Sequence, residues 1–267
     1  MNDFFLKKTA NELRLKILDM AVKKSKGHIG GTFSCLDILV YLYYSKFLNI
    51  TKNNISKHNR DRLILSKGHA CLALYLIFEN LGFMSKEKLD SYGENNGLGA
   101  QLDINIPGVD WNTGSLGHAI GVMSGFSIGN KKNKYIAIVG DAEMDEGSIW
   151  EALVFAGENK LSNVIVVVDR NRLSVTEKLD DVGIYRNFMK IIASLGWNGY
   201  EINGHDFHEI DSTFKKIRAN KKPSIILANT IKGKGVSFME NSISWHHGIP
   251  NEYEYKIARN DLLRGFE

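Results

Sequence analysis

Cysteine is scarce in this sequence. Cys35 and Cys71 are the only two among 267 residues, they lie far apart, and neither belongs to a CxxC or a metal-ligand spacing. Neither a disulfide framework nor a cysteine-based metal site is therefore indicated. This usage is typical of a reducing compartment, and we expect a cytoplasmic protein.

Long apolar stretches are also missing. The first eight residues contain no uninterrupted apolar core of the signal-peptide kind. The most apolar runs, 135–139 and 164–168, are far shorter than the ~20 residues of a membrane span. We therefore expect no export signal and no membrane anchor.

Neither sign of charge dominates, and proline is rare. Lys and Arg total 34 against 30 Asp and Glu, which gives a net charge of +4, and the charges are scattered rather than blocked. No nucleic-acid groove is indicated, and small-molecule chemistry fits better. The chain has 3 prolines, no low-complexity linker and no evident repeat, and 43% of its residues are apolar. We expect one domain over residues 1–267 with a substantial core.

An apolar stripe predicts the first helix. Its members follow one another at alternating spacings of four and three residues, so they share one helix face. The stripe consists of Leu6, Ala10, Leu13, Ile17 and Met20. This helix is predicted to end at Gly27. After a glycine-rich loop, Ser34 is placed to cap the N-terminus of a second helix that runs through 41–44.

Short strands and helices alternate along the rest of the chain. The strand segments are brief, rich in β-branched or aromatic residues and bounded by turn residues. Strands are predicted at 62–65, 135–139, 164–168, 200–202 and 224–229, and helices at 70–81, 116–128, 148–160, 185–195 and 206–219. Since segment 164–168 is apolar at every position, it suits a central parallel strand covered on both faces. The predicted fold class is α/β, a doubly wound, mainly parallel sheet with helices on both faces.

Two strand ends carry oxygen-bearing side chains. Asp141 follows Gly140 at the end of one strand, and Asn171 follows the next strand thirty residues later, about one strand–helix–strand unit. Ligands of such sheets bind beyond the carboxyl ends of strands, where a helix N-terminus presents free N–H groups to an anion. Carboxylate, amide and carbonyl oxygens suit Mg²⁺ bound to phosphate. Asp141 alone could simply cap a helix and Asn171 alone could be a turn residue, but their spacing favours a metal site.

The sequence around these residues resembles the thiamine-diphosphate motif of transketolases. Further matches to that family follow in order along nearly the whole chain, at 25–30 (SKGHIG), 59–69 (NRDRLILSKGH), 113–117 (TGSLG), 232–235 (KGKG) and 245–250 (WHHGIP). The chain stops near the point where a full-length transketolase continues into its pyrimidine-binding domain. It therefore resembles the N-terminal, thiamine-diphosphate-binding subunit of a split transketolase. The resemblance implies thiamine diphosphate and Mg²⁺ as cofactors and a single diphosphate-binding domain.

The resemblance assigns the metal and the diphosphate to the strand ends. Asp141, Asn171 and the carbonyl of Leu173 would coordinate Mg²⁺. Gly140 and the N–H of Ala142 would face the diphosphate. The family usually has glycine at the position of Ala142. Alanine still offers an N–H, but a positive φ costs its backbone more energy than it costs glycine.

Three histidines match substrate- or cofactor-contacting positions of the family. His69 and His247 would hydrogen-bond phosphate or substrate, and His28 would contact the donor's hydroxyls. Their glycine-rich settings favour ligand contact over an ordinary surface position. His246 lies beside His247, so either of the two could be the active-site residue. Imidazoles are suited to proton transfer to and from sugar hydroxyls near neutral pH.

Four more positions match cofactor-contacting and relay residues of the family. Gly114 and Leu116 match positions whose backbone lies against the aminopyrimidine ring, although a helix-entry loop also uses glycine in this way. Glu146 and Glu151 match two catalytic glutamates of a proton relay across the dimer interface. Glu151 could instead be an acidic residue favoured near a helix N-terminus.

One histidine of the family is absent. Transketolases carry it in the segment before Pro107, yet no histidine occurs between His69 and His118. The resemblance implies that this histidine helps to read the donor sugar. Gln101 or Asp103 could replace it, so the identity of the donor stays open.

The implied activity is transfer of a two-carbon ketol unit from a ketose to an aldose. Alternatives are a thiamine-diphosphate-dependent decarboxylating synthase that adds a two-carbon unit to a sugar, and a non-catalytic cofactor-binding scaffold. The histidines favour a polyol substrate, and with Asp141 and Asn171 they argue against a scaffold. Because the activating glutamate normally belongs to the pyrimidine-binding domain, we expect a C-terminal transketolase-like partner subunit that carries this domain, in a heterotetramer.

Overall fold

A five-stranded parallel sheet lies at the centre of the protein. The computed structural model describes residues 2–179 and 183–265, with the backbone alone at 183 and 184. The strands are β1 (Arg62–Leu65), β2 (Tyr135–Gly140), β3 (Val164–Arg170), β4 (Asn198–Asn203) and β5 (Ser224–Asn229). Their order is β1-β2-β3-β5-β4, and every neighbouring pair is parallel. The predicted α/β sheet is confirmed.

Helices connect the strands. They are α1 (Asp3–Lys24), α2 (Ile29–Tyr44), α3 (Cys71–Asn80), α4 (Lys86–Asp90), α5 (Ala119–Gly129), α6 (Gly147–Glu158), α7 (Phe188–Ser194), α8 (Phe207–Ile217) and α9 (Glu252–Arg264). Short 3₁₀ turns lie at Gly68–Ala70, Ala142–Asp145, Gly183–Asn187 and Ile243–His246. Within the described ranges, no helix is both long and apolar enough to cross a membrane.

The alternation of side chains in the central strands separates two apolar cores. In β2, Ile136 and Ile138 belong to the core that contains α1, α2 and α3, whereas Ala137 and Val139 belong to the core that contains α5 and α6. Successive strand residues point to opposite faces, so a strand between two cores must be apolar at consecutive positions. The sheet is therefore covered on both faces, as the unbroken apolar pattern of 164–168 predicted.

The second helix begins at Ile29, so the predicted capping role of Ser34 is wrong. The helix already has its first hydrogen bond from Thr32 N to His28 O at 3.0 Å. The Ser34 hydroxyl lies inside the helix and donates to Asp169 Oδ2 at 2.6 Å. A buried carboxylate needs hydrogen-bond donors, and this requirement places the serine in the core rather than at a helix end.

Two helices were not predicted, and two others, α5 and α7, begin three residues later than predicted. The unpredicted helices are α4 and α9. Helix α9 starts with a capping box in which Asn251 and Glu254 exchange side-chain-to-backbone hydrogen bonds of 2.9 Å. This pattern of an N-cap residue followed by glutamate three positions later is readable in the sequence. The helix predicted from 116 begins only at Ala119, so Gly114 and Leu116 lie in the loop before it.

Candidate active site

A cleft of about 150 Å³ lies at the carboxyl ends of β2 and β3. The parallel register places Gly140 opposite Asp169, so the segments that follow the two strands leave the sheet side by side. Seven residues predicted to contact the metal or the cofactor line this cleft: His69, Leu116, Gly140, Asp141, Ala142, Asn171 and Leu173. The structure thus brings together side chains that the sequence separates by about a hundred positions.

Asp141 is held at the strand end by backbone donors. Its Oδ1 accepts a hydrogen bond from Ala142 N at 2.9 Å, and its Oδ2 accepts one from Arg172 N at 2.5 Å. The residue is 3% exposed. Burial raises the pKa of Asp141 to about 6, and the Asp169 carboxylate adds to the rise. A buried carboxylate in this state is stabilised by a nearby cation.

Asn171 and Leu173 supply two further oxygens on the same side of the cleft. Asn171 Oδ1 accepts from Leu173 N at 3.1 Å, and Asn171 Nδ2 donates to Asp169 Oδ2 at 3.5 Å. The carbonyl oxygen of Leu173 accepts from Lys232 Nζ at 3.3 Å. Carboxylate, amide and carbonyl oxygens are the hard donors that Mg²⁺ prefers, so the chemistry of this set fits the predicted metal.

A buried ion pair behind Asn171 was not predicted. Asp169 is fully buried and forms an ion pair with Lys67, which is 3% exposed. The Asp169 carboxylate also accepts hydrogen bonds from Ser34 and Thr230. Burial alone would raise the pKa of Asp169, but Lys67 and the hydroxyl donors hold it below its ordinary value. Asp169 is therefore an anion whose position fixes the Asn171 amide.

Glu143 is a second buried carboxylate that sequence reasoning missed. It is 2% exposed. Glu143 Oε2 accepts from Gly140 N at 3.0 Å, and Oε1 accepts from Gly117 N at 2.9 Å and from the hydroxyl of Ser66. These bonds tie the loop before α5 to the end of β2. Its place two residues after Asp141 is the only sequence signal that could have indicated this role.

Four histidines cluster at one end of the cleft. The His28 ring centroid lies 4.4 Å from that of His247, 5.1 Å from His69 and 5.7 Å from His246. His246 and His247 are 4.6 Å apart. His246 lines the cleft together with Asp141, whereas His247 is exposed and packs edge-on against His28.

Burial keeps three of these rings neutral. Desolvation is the main cause that lowers the pKa of His28 to about 4, of His69 to about 2 and of His246 to about 3. Neighbouring histidines and the ammonium of Lys232 lower all three further. At neutral pH these side chains can donate one hydrogen bond and accept another.

Gln101, and not Asp103, contacts the segment that leads into His69. Gln101 Oε1 accepts from Thr113 Oγ1 at 3.1 Å, and both side chains lie directly over Gly68, where any Cβ would overlap them. Gly68 immediately precedes His69. Asp103 instead accepts from Asn105 N at 2.7 Å within an exposed turn.

The remaining predicted site residues lie outside the cleft. Gly114 is exposed with a φ of 131°, and Glu146 and Glu151 are exposed at the N-cap and in the first turns of α6. Leu116, which does line the cleft, is still 37% exposed. Neither glutamate lines the cleft.

The arrangement defines a class of protein: an α/β domain with a cleft at the carboxyl ends of its strands, in which oxygen atoms that could hold a metal lie beside a histidine cluster. The sequence matches the family described as transketolase, thiamine diphosphate binding domain, over residues 6–266. The chain belongs to this family.

The chain is similar both to single subunits of divided transketolases and to longer transketolases. It is 36% identical to a subunit of the apulose-4-phosphate transketolase of Phocaeicola vulgatus, over 95% of this chain and 92% of that one. It is 35% identical to the 6-deoxy-6-sulfo-D-fructose transketolase subunit SqwG of a Clostridium species, over 96% of each. The crystal structure of Campylobacter jejuni transketolase superimposes with a TM-score of 0.90 at 30% identity, over 98% of this chain but 43% of that one. This chain thus spans less than half the length of that transketolase.

Proposed function

We propose that this chain is the thiamine-diphosphate- and Mg²⁺-binding subunit of a two-subunit transketolase that transfers a two-carbon ketol unit from a ketose to an aldose. The observation that carries the proposal is the meeting of Asp141, Asn171 and the Leu173 carbonyl in one cleft with His69 and His246. Membership of the thiamine-diphosphate-binding family supports it. The whole chain, 1–267, is taken as one diphosphate-binding domain.

The strand ends would hold the cofactor. Asp141, Asn171 and the Leu173 carbonyl would ligate Mg²⁺, while Gly140 and Ala142 would contact the diphosphate at the start of the 3₁₀ turn. When bound, thiamine diphosphate supplies the nucleophilic carbon and the electron sink that ketol transfer needs. The pair of Asp169 and Lys67 keeps Asn171 in place through the 3.5 Å amide contact.

The histidines would bind the sugar's hydroxyls. His28, His69 and one of His246 and His247 are neutral or exposed rings that can each donate one hydrogen bond to a hydroxyl and accept another, and proton transfer by the buried rings would require substrate or cofactor to raise their lowered pKa values. A neutral ring also donates a hydrogen bond without repelling the metal. The ring contacts of 4.4 to 5.7 Å let one substrate reach several imidazoles at once.

A partner chain is needed to complete this site. The relatives named as transketolase subunits belong to divided enzymes, which supports a partner with the pyrimidine-binding domain and its activating glutamate. The outer faces of α5 and α6 are open: Gly121 and Gly125 are exposed, and so are Ile128, Val154 and Phe155. Small residues allow close approach of another chain, and exposed apolar side chains favour burial. Glu146 and Glu151 border this face, and we expect a heterotetramer of two such pairs.

The donor and acceptor would be small sugars or sugar phosphates. Apulose 4-phosphate and 6-deoxy-6-sulfo-D-fructose appear in the names of two relatives and indicate the size and polarity of the ligand class. Gln101 in place of the family histidine would present an amide to the donor instead of an imidazole. An amide hydrogen-bonds a hydroxyl but cannot take up its proton at neutral pH.

The free, buried Cys35 and Cys71 are consistent with a reducing cytoplasm.

The test compares the chain alone with the chain plus its partner. Purify this chain, add thiamine diphosphate and Mg²⁺, and assay ketol transfer with a panel of ketose donors and aldose acceptors. Then add a transketolase-like chain that carries a pyrimidine-binding domain, which we expect the adjacent reading frame to encode. We expect turnover only in the mixture. Robust turnover by the lone chain would refute the two-subunit proposal, and cofactor binding without turnover in the mixture would favour a scaffold.

A further inference from the structure

Three of the clustered histidines lie in the arrangement of a metal site that is distinct from the Mg²⁺ position. We infer that His28, His246 and His247 form a binding site for a divalent transition metal ion of the Zn²⁺ class at the sugar-facing end of the cleft. This inference does not depend on the proposed ketol transfer, because it concerns metal binding by this chain alone.

The ligand atoms are already close together. One ring nitrogen from each of His28, His246 and His247 lies within 4.8 Å of the others. Tetrahedral Zn²⁺ with Zn–N bonds of about 2.0–2.1 Å places its nitrogens roughly 3.4 Å apart, so modest rotations of the side chains would complete the geometry. Within residues 2–179 and 183–265, this is the one group of three or more histidine, cysteine or acidic side chains with such spacing.

Two ring nitrogens of this group lack a protein partner among the described residues. The Nδ1 atoms of His28 and His246 are buried from solvent and make no hydrogen bond to any described residue. A buried polar atom without a partner is costly, and native proteins rarely keep one unless a ligand, an ion or a water satisfies it. Two such atoms on rings whose centroids lie 5.7 Å apart point to a ligand at this end of the cleft, and a metal ion would satisfy both as lone-pair donors.

The backbone holds the two histidine segments against each other. A Cβ on Gly30 would come 2.6 Å from the carbonyl oxygen of Trp245, so only glycine allows this close approach. Gly233 N donates to Gly30 O at 3.0 Å from a third segment. His28 is two residues before Gly30, and His246 directly follows Trp245. The rings are therefore positioned by the fold and not only by their own contacts.

The donor set selects the metal. Three imidazoles suit Zn²⁺, Ni²⁺ and Cu²⁺, whereas Mg²⁺ requires hard oxygen ligands such as those near Asp141. A three-histidine site leaves one position open for water or a sugar oxygen. The ammonium groups of Lys67 and Lys232, whose charges reach His246, oppose a cation and limit the affinity. An ion here would occupy the space in which His28 is expected to meet the sugar, so it would inhibit.

The direct test is metal binding by the purified full chain. Titrate Co²⁺, a spectroscopic substitute for Zn²⁺, into the chain at neutral pH with excess Mg²⁺, and follow the visible absorption of nitrogen-ligated Co²⁺. We expect one ion per chain that Zn²⁺ displaces. His28→Ala, His246→Ala and His247→Ala should each weaken binding by at least about 10-fold, the scale seen even when outer-shell partners of ligands are removed.

Matched variants separate this site from the surface and from the Mg²⁺ position. His58→Ala and His208→Ala remove exposed histidines and should leave Co²⁺ binding unchanged. Asp141→Ala removes the carboxylate expected to ligate Mg²⁺ and should also leave Co²⁺ binding unchanged. Circular dichroism and thermal melts establish whether each variant is folded. If His246→Ala does not fold, His246→Gln replaces it in the comparison. Undiminished Co²⁺ binding in every folded variant of the three histidines would overturn the inference, as would a spectrum of oxygen ligands only.

Discussion

The two walls of the cleft differ in how their polar atoms are satisfied. The carboxylate wall is formed by Asp141 and Asn171 with Asp169 buried behind them, and the side chains of all three hydrogen-bond to other groups of the chain. On the histidine wall, the Nδ1 atoms of His28 and His246 have no partner among the described residues. The first wall has its geometry set in advance by the protein. The second presents ring nitrogens that no described residue satisfies, as a surface for exchangeable ligands should.

The largest expected effect comes from breaking the carboxylate wall. Asp141→Ala and Asn171→Ala each remove an oxygen predicted to ligate Mg²⁺, so Mg²⁺-dependent cofactor binding should be abolished, a larger effect than the roughly 10–100-fold cost of losing an outer-shell partner. The measurement is calorimetric titration of thiamine diphosphate with Mg²⁺ into the chain assembled with its partner. Asp145→Ala, an exposed carboxylate in the same 3₁₀ turn, is the control. Wild-type affinity in either variant would show that the metal assignment is wrong.

Breaking the histidine wall should slow catalysis more than it weakens the cofactor. His69→Ala and His247→Ala should each lower kcat by about 10²–10⁴-fold, the usual range for loss of a general acid or base. Cofactor affinity should fall less than in the Asp141 and Asn171 variants, since His69 and His247 would give hydrogen bonds but no metal ligand. Far-UV circular dichroism should change little. His208→Ala is the control. If the thermal midpoint falls in step with activity, the histidines act in packing and the catalytic assignment fails.

Sequence reasoning was strongest for features that depend on local order. Asp141 and Asn171 each follow a short apolar strand, and parallel strands bring their carboxyl ends together, so the spacing alone indicated a shared cleft. The unbroken apolar run of 164–168 predicted a strand covered on both faces. These inferences needed only periodicity and the direction of the strands.

Sequence reasoning failed where distant side chains meet. Lys67 and Asp169 are 102 positions apart, and a buried ion pair leaves no periodic signal in either segment. Ser34 was assigned to a helix cap because serine usually has that role before an apolar helix, whereas Asp169 requires its hydroxyl in the core. The sequence also could not separate His246 from His247. Only the fold shows that His246 lines the cleft while His247 is exposed against His28.

The buried ion pair of Lys67 and Asp169, which lies behind the carboxylate wall, can be tested through its contribution to the free energy of unfolding. Lys67→Met leaves the Asp169 charge buried without its cation, which typically costs about 3–5 kcal/mol of unfolding free energy. The measurement is urea unfolding. Lys256→Met removes one partner of an exposed ion pair with Glu252 and should cost under about 1 kcal/mol. The double variant Lys67→Met, Asp169→Asn should recover part of this loss, because it removes the unpaired charge. If Lys67→Met alone is as stable as wild type, the ion pair does not support the carboxylate wall.

The smallest effect should distinguish the walls by the sign of their pH dependence, measured by urea unfolding without metal or cofactor. The folded pKa of His69, about 2, lies below the unfolded value of 6.5, so its contribution to stability is present above pH 6.5 and is lost as the pH falls. The folded pKa of Asp141, about 6, lies above the unfolded value of 3.8, so its contribution is present below pH 3.8 and is lost as the pH rises through 6.

Between about pH 7 and pH 5 these two contributions to the free energy of unfolding change in opposite directions, each by at most about 1.4 kcal/mol per pH unit. His69→Gln should therefore flatten the loss of stability on acidification, and Asp141→Asn should steepen it. Changes of the same sign in both variants would show that the two walls do not differ in this way.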